Sequence, residues 1–248
     1  MMNIKNSIPN TITCCNLMSG CIATMFAFMG RLEMALLFII IGAMFDFCDG
    51  LTARALGVSS PIGKELDSLA DVITFGFAPA AIVYYQLSVM DYPAALSGVM
   101  TLIPFLSFII AAFSALRLAK FNLDTRQTTS FIGLPTPANA LFWSSLIVGY
   151  AQFFENARYG FVYILVLVFL TSYLLISELP MFALKFKHWG INEPGNLVKY
   201  GFVAFSLSAI IVSVFVSDNI ILGIESVIAI IILAYILVSV IMWCTSKH

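Results

Sequence analysis

The chain has 248 residues, of which 61% are hydrophobic and only 10% charged, and its mean hydropathy is +1.00. Soluble domains carry about 25% charged residues, so this composition excludes a soluble enzyme and predicts an integral membrane protein. The formal net charge is −1, from 12 basic and 13 acidic residues without a basic block, which argues against a nucleic-acid partner.

Apolar runs predict eight membrane-spanning helices. A helix needs about 20 apolar residues to cross the hydrocarbon core. In chain order, runs of this kind occupy residues 12–29, 32–56, 63–87, 92–120, 135–153, 159–177, 196–216 and 220–243. Turn-forming residues separate the runs, and no stretch is left for a soluble domain. We therefore expect an all-α polytopic helix bundle that forms a single domain over residues 1–248.

Basic residues fall unevenly on the two sides of this predicted bundle. With an even number of spans, both termini share one side with the loops after the second, fourth and sixth helices. That side holds 10 of the 12 lysines and arginines, and the other side has only Arg31 and Arg158. Because positively charged loops stay in the cytoplasm, we expect both termini and the 57–62 loop to be cytoplasmic, with the chain in the cell membrane.

Four of the seven aspartates lie between residues 46 and 71. Asp46 and Asp49 are three positions apart near the cytoplasmic end of the second helix. Asp67 and Asp71 are four positions apart near the start of the third. Either spacing places a pair on one helical face, and the short 57–62 connection predicts that the two helices are antiparallel neighbours. We expect four carboxylates to converge at one depth, just inside the membrane.

Such a cluster needs compensating positive charge. Several carboxylates in one place repel one another, and each costs several kcal/mol to desolvate. A purely oxygen donor set selects Mg²⁺, Mn²⁺ or Ca²⁺ rather than zinc or copper, and such ions commonly hold phosphates. The alternative is a set of solvated acids paired with Arg54 and Lys64, which the regular spacing on two adjacent helices disfavours.

The aspartates belong to a longer pattern with fixed spacing. Between residues 46 and 71 the chain reads Asp46-x2-Asp49-Gly50-x2-Ala53-Arg54-x8-Gly63-x3-Asp67-x3-Asp71. This segment resembles, without departure, the signature of the CDP-alcohol phosphotransferase family. The resemblance implies transfer of a phosphatidyl group from a CDP-linked lipid to an alcohol, with release of CMP.

The same resemblance implies roles for individual residues. It implies that the four aspartates hold two divalent cations, Mg²⁺ or Mn²⁺, and that Asp71 doubles as the general base. It also implies a homodimer. The residues that it assigns to the CDP-diacylglycerol site are Gly50, Ala53, Arg54 and Gly63.

Three further segments, 8–20, 117–122 and 131–138, resemble the phosphatidylserine synthase branch of this family. That resemblance implies CDP-diacylglycerol as the donor and L-serine as the acceptor. Serine is a zwitterion, so its carboxylate needs a cation. Arg117 and Lys120 lie three positions apart at the cytoplasmic end of the fourth helix, followed by Asn122. We expect these three residues to bind serine, although the two cations equally suit an anchor at the membrane surface.

Alternatives stay open for the acceptor and for the class of protein. Glycerol phosphate or inositol phosphate would use the same chemistry, but their phosphate dianions favour more basic residues near the site. A divalent-cation transporter also has intramembrane carboxylates, but we expect those near the bilayer midplane on several helices. If serine is not bound by Arg117 and Lys120, the next candidates are Asn10, Asn16 and the 133–137 segment.

Overall fold

The structure is a computed structural model that describes residues 4–123, 131–182, 196–216 and 220–246. Helices fill most of these ranges, and one pair of short strands joins two loops. The helices are α1 Ile4–Phe28, α2 Leu32–Leu56, α3 Pro61–Asp71, α4 Ala78–Val89, α5 Ile109–Leu123, α6 Thr136–Asn156, α7 Gly160–Ile176, α8 Asn196–Val216 and α9 Ile220–Ser246. The strands are β1 Phe131–Ile132 and β2 Pro180–Met181, and they pair antiparallel.

Six helical segments in the described ranges are long and apolar enough to cross a membrane. They are Ser7–Phe28, Leu32–Leu56, Pro61–Val89, Ile103–Leu123, Asn196–Val216 and Gly223–Thr245. α7 is apolar but has only 17 residues, and α6 has 21 residues but carries several buried polar side chains. These helices confirm the predicted all-α polytopic bundle. Arg126, Lys185, Lys187 and Lys247, which contribute to the predicted cytoplasmic side, lie outside the described residues.

The span Pro61–Val89 lies at the centre of the bundle. In its most apolar stretch 61% of the residues are buried, against 6% for Asn196–Val216. α4 supplies small buried residues, among them Ala80 and Ala81, which let neighbouring helices approach closely. Trp143 of α6 is fully buried in the same core. The central position of this span keeps Asp67 and Asp71, which begin it, among the surrounding helices.

The predicted helix over 92–120 is wrong in its first half. Ala94–Leu96 and Ile103–Phe108 are 3₁₀ turns, and regular α-helix begins only at Ile109. Pro93 and Pro104 explain the difference, because proline lacks an N–H donor and disfavours helical geometry in the residue before it. The first helix is longer than predicted, because it begins at Ile4 instead of residue 12 and continues through Pro9.

A π-helical turn, Val72–Phe77, follows Asp71 directly. The N–H of Ala78 bonds to the carbonyl of Ile73, five residues back, and such turns recur at functional sites. Thr74 in this turn faces α1, where its hydroxyl donates to the carbonyl of Asn16 at 3.0 Å. The apolar pattern of the sequence did not indicate this turn, which sets how the end of α3 meets α1.

The segment before α6 is bound to the end of α7. Gly133 has φ +75°, a conformation that side chains rarely adopt, and a Cβ there would lie 2.6 Å from the carbonyl oxygen of Leu175. The N–H of Gly133 donates to the carbonyl of Leu179 at 2.9 Å. Together with the β1–β2 pair, these contacts fix the start of α6 and therefore the position of Thr136.

Candidate active site

Local sequence sets the turn that joins α2 to α3. Gly57 ends α2 with φ +62°, and its N–H bonds back to the carbonyl of Arg54 at 3.2 Å. Ser60 caps α3, since its hydroxyl accepts from the N–H of Gly63 at 3.0 Å, and Pro61 occupies the first turn. This short turn brings the end of α2 and the start of α3 to the same level of the bundle.

Three of the four predicted aspartates converge on one point. Asp46, Asp49 and Asp67 each offer a carboxylate oxygen, and these oxygens all lie within 4.8 Å of one another. Asp71 lies one helical turn beyond Asp67 and is only 7% exposed. It is close enough to Asp46 and Asp67 to interact with them electrostatically. The carboxylates of α2 and α3 therefore form a single charged site.

α1 packs against both α2 and α3 and supplies polar side chains to this site. The hydroxyl of Thr13 donates to Oδ2 of Asp49 at 2.6 Å, and Nδ2 of Asn16 donates to Oδ1 of Asp71 at 3.2 Å. From the sequence, Asn10 and Asn16 are predicted only as second candidates for serine binding, and Thr13 is not predicted at all. The available signal was the spacing of polar residues at positions 10, 13 and 16, which places them on one face of the helix.

An open cleft lies beside the aspartates and is lined in part by Asp49 and Asp67. Its walls include Gly50, Ala53 and Gly63, which are three of the four residues predicted for CDP-diacylglycerol. The fourth, Arg54, is exposed, and its guanidinium would lie 3.6 Å from a Cβ built on Gly50. Asn10 of α1 lines the same cleft. The cleft therefore joins residues of three helices.

The three residues predicted for serine have different surroundings. Arg117 is buried, its Nη1 donates to Oγ1 of Thr136 at 3.4 Å, and it lies within electrostatic reach of Asp71. Lys120 is exposed. The side chain of Asn122 donates to the hydroxyl of Ser68 at 2.8 Å. Of the two cations, only Arg117 is buried in the bundle, within electrostatic reach of Asp71.

The donor set fits a hard divalent cation. Within the described ranges the cluster consists of carboxylates alone, which suits Mg²⁺ or Mn²⁺ better than zinc or copper. Oδ1 of Asp67 is buried and has no hydrogen-bond partner in the part of the chain that the structure describes. An uncompensated buried carboxylate oxygen is costly. The residues are therefore arranged as a cation would require.

Residues 6–173 match the sequence model of the family described as CDP-alcohol phosphatidyltransferase. A Bacillus subtilis (strain 168) protein named CDP-diacylglycerol–serine O-phosphatidyltransferase is 31% identical over 77% of this chain and 96% of its own length. A Helicobacter pylori (strain ATCC 700392 / 26695) protein of the same name is 35% identical over 54% of each chain. A Methanothermobacter thermautotrophicus protein named archaetidylserine synthase is 31% identical over 69% of this chain and 72% of its own. The match over two thirds of the chain, with the aspartates gathered beside a cleft, makes this protein a member of the CDP-alcohol phosphatidyltransferase family.

Proposed function

We propose that the protein transfers the phosphatidyl group of CDP-diacylglycerol to L-serine and forms phosphatidylserine and CMP. The observation that carries this proposal is the convergence of the aspartates of α2 and α3 beside an open cleft, with the buried Arg117 within reach of Asp71. The names of the relatives supply the donor and the acceptor, since the Bacillus and Helicobacter proteins are named for CDP-diacylglycerol and serine.

In this proposal the cleft binds the CDP moiety. Gly50, Ala53 and Gly63 provide a wall without bulky side chains, so a nucleotide can approach the backbone closely. Arg54 stands beside Gly50 and can bind phosphate oxygens in a bidentate manner. Phe47 and Leu51 of α2 are 64% and 45% exposed. These side chains offer an apolar surface to acyl chains that stay in the bilayer.

The aspartates would hold the divalent cations. We propose that Asp46, Asp49, Asp67 and Asp71 bind one or two ions of Mg²⁺ or Mn²⁺. When bound, such ions supply positive charge that stabilises the diphosphate and the departing CMP. The carboxylates thereby determine where in the cleft the diphosphate can lie.

The transfer itself is a direct displacement. The carboxylate of Asp71 accepts the proton of the serine hydroxyl as the hydroxyl oxygen bonds to the phosphorus that carries diacylglycerol. The bond from that phosphorus to the CMP oxygen breaks, and CMP leaves with the electron pair. The signature segment contains Cys48 but no histidine, and Cys48 is exposed. We therefore propose that serine attacks the phosphorus directly, without a covalent intermediate on the protein.

We propose that serine lies between Asp71 and the end of α5. Arg117 would pair with the serine carboxylate, because it is buried and within electrostatic reach of Asp71. Lys120 and Asn122 follow on the same helix and would complete the acceptor site at the end of α5. Lys64, whose Nζ donates to the carbonyl of Asn122 at 2.9 Å, ties this end of α5 to α3.

We further propose that the site faces the cytoplasm, that the whole chain is one domain and that two copies form a homodimer. The cytoplasmic orientation rests on the distribution of basic residues and suits a soluble amino acid as acceptor. The single domain is supported by α9, which packs on α6 and whose Tyr235 donates to the carbonyl of Phe182 at 3.1 Å. The mass of the purified protein in a defined detergent tests the dimer.

The test of the function is an acceptor panel. Purified protein with CDP-diacylglycerol and Mn²⁺ should release CMP with L-serine, and mass spectrometry should find phosphatidylserine. Glycerol 3-phosphate and inositol phosphate, offered separately at equal concentration, should release CMP far more slowly. Preference for either phosphorylated acceptor would overturn serine as the substrate, and absence of CMP release with every acceptor would overturn phosphatidyl transfer.

A further inference from the structure

Two residues of α1, Thr13 and Asn16, are each bonded to a different aspartate of the site. We propose that they are positioning residues that determine which oxygens of Asp49 and Asp71 are available to the cation and to the substrate. This inference rests on the proposed function, and it assigns α1 a part in the reaction that the signature on α2 and α3 does not include.

Thr13 fixes one oxygen of Asp49. Its side chain is 3% exposed, and its hydroxyl lies 2.6 Å from Oδ2 of Asp49 and 3.1 Å from the carbonyl of Pro9. A hydroxyl has a single proton to donate, and a short contact with an ionised acceptor is the stronger bond. The proton is therefore directed to Oδ2 of Asp49. The other oxygen, Oδ1, does not accept from Thr13 and would be available to a cation shared with Asp46 and Asp67.

Asn16 fixes one oxygen of Asp71 in the same way. Its Nδ2 lies 3.2 Å from Oδ1 of Asp71. Since an ionised carboxylate only accepts, the amide must present its NH₂ group to Asp71. Oδ2 of Asp71 is then the oxygen that accepts the proton of the substrate hydroxyl. The backbone of Asn16 is held in turn, because its carbonyl accepts from Thr74 in the π-helical turn that follows Asp71.

The two residues act from one rigid element. Thr13 and Asn16 are three positions apart and therefore lie on one face of α1, which packs against both α2 and α3. A single helix thus sets the orientation of carboxylates that belong to two others. Loss of a hydrogen bond to a metal-binding side chain typically weakens metal binding by about 10- to 100-fold, so both bonds should be measurable in metal affinity.

The experiment compares Thr13→Val with Thr13→Ser by direct titration of Mn²⁺, with free Mn²⁺ followed by electron paramagnetic resonance. Thr13→Val keeps the shape of the side chain and removes the donor, so its dissociation constant for Mn²⁺ should rise by about tenfold or more. Thr13→Ser keeps the donor and should bind nearly as the wild type does. Thr24→Val is the matched control, because Thr24 is buried on the same helix and donates only to the carbonyl of Gly20 within the described residues.

Asn16 should give a different signature. Asn16→Leu should also weaken Mn²⁺ binding, and its lowered kcat for CMP release should persist at saturating Mn²⁺, because Asp71 is no longer oriented to accept the proton. The loss in Thr13→Val should instead be restored by Mn²⁺. Asn16→Ala provides a second variant with no added bulk, and size-exclusion profiles and unfolding midpoints establish that each variant is folded.

Two results would count against these roles, and a third would count against the proposed function. Wild-type Mn²⁺ affinity and kcat in Thr13→Val, Asn16→Leu and Asn16→Ala would overturn the inference while leaving the proposed function intact. Equal losses in Thr13→Ser and Thr13→Val would mean that Thr13 serves packing alone. A wild-type protein that neither binds Mn²⁺ nor releases CMP would overturn the proposed function itself.

Discussion

Arg117 and Lys120 lie three positions apart on α5, yet Arg117 is only 7% exposed and Lys120 lies at the surface. Nη1 of Arg117 donates to Oγ1 of Thr136 at 3.4 Å, and its guanidinium carbon lies 5.7 Å from the centre of the Phe121 ring. Because of this difference in burial, the two cations should contribute differently to an ion pair with a substrate carboxylate. A shielded ion pair loses about 2–5 kcal/mol when one partner is removed, whereas an exposed pair contributes at most about 1 kcal/mol.

Arg117→Ala should therefore raise the KM for serine by at least about tenfold, with little change in the KM for CDP-diacylglycerol. Lys120→Ala should raise the serine KM by less than about fivefold. Initial rates of CMP release at varied concentrations of each substrate give both constants. If Arg117→Ala weakens only CDP-diacylglycerol, this residue belongs to the phosphate site and serine is bound elsewhere.

Replacing any one of Asp46, Asp49, Asp67 and Asp71 by Asn should lower turnover by at least about a hundredfold, the scale of losing a strong electrostatic contact in the transition state. EDTA should abolish CMP release, and added Mg²⁺ or Mn²⁺ should restore it. Asp91→Asn is the matched control, because Asp91 is exposed in a loop outside the site. Full turnover in the presence of chelator would contradict the metal site.

Gly50→Val should raise the KM for CDP-diacylglycerol severalfold and leave the KM for serine unchanged. A Cβ at this position meets only the guanidinium of Arg54 within 4 Å among the described residues, at 3.6 and 3.9 Å. The new side chain would therefore extend into the cleft. Because valine suits a helix better than glycine does, the unfolding midpoint in detergent should stay close to that of the wild type. A variant that unfolds instead would show that Gly50 serves helix packing.

Gly133→Ala should destabilise the fold by about 2 kcal/mol or more, because a left-handed conformation costs an L-residue about 1–2 kcal/mol and the new Cβ would contact the carbonyl of Leu175. Thermal unfolding in detergent, followed by circular dichroism, measures the loss. Gly201→Ala in α8 is the control, since a Cβ there has no atom of the described residues within 4 Å. That change should be neutral or stabilise by about 0.5–1 kcal/mol, and equal shifts in the two variants would contradict the strain at Gly133.

Cysteine labelling tests the predicted orientation. Ser60 precedes the span Pro61–Val89, and the exposed Ser97 follows it. In a background without the native cysteines, an impermeant thiol reagent applied to intact cells should label Ser97→Cys but not Ser60→Cys. The reverse labelling pattern would put the site on the side away from cytosolic serine.

The sequence alone determined the features that depend on composition and on short-range spacing. Its apolar runs predicted the membrane helices, because burial of a helix in lipid depends on its own side chains. The spacings of Asp46 with Asp49 and of Asp67 with Asp71 predicted shared faces, since helix geometry fixes which residues lie side by side. The turn with Gly57 and Ser60 was also local. Resemblance in the same segment predicted the family.

Only the tertiary structure decided which helix packs on which. The sequence predicted that the second and third helices are antiparallel neighbours, and their aspartates do come together. It did not predict that α1 packs against both helices and supplies Thr13 and Asn16. The sequence could not show that Arg117 is buried while Lys120 is exposed. A helix that is apolar on most of its circumference gives little indication of its buried face. The π-helical turn after Asp71 and the pairing of β1 with β2 depend on the same contacts. They join residues that are distant in sequence, and the stabilisation they provide exists only once the neighbouring helices are in place.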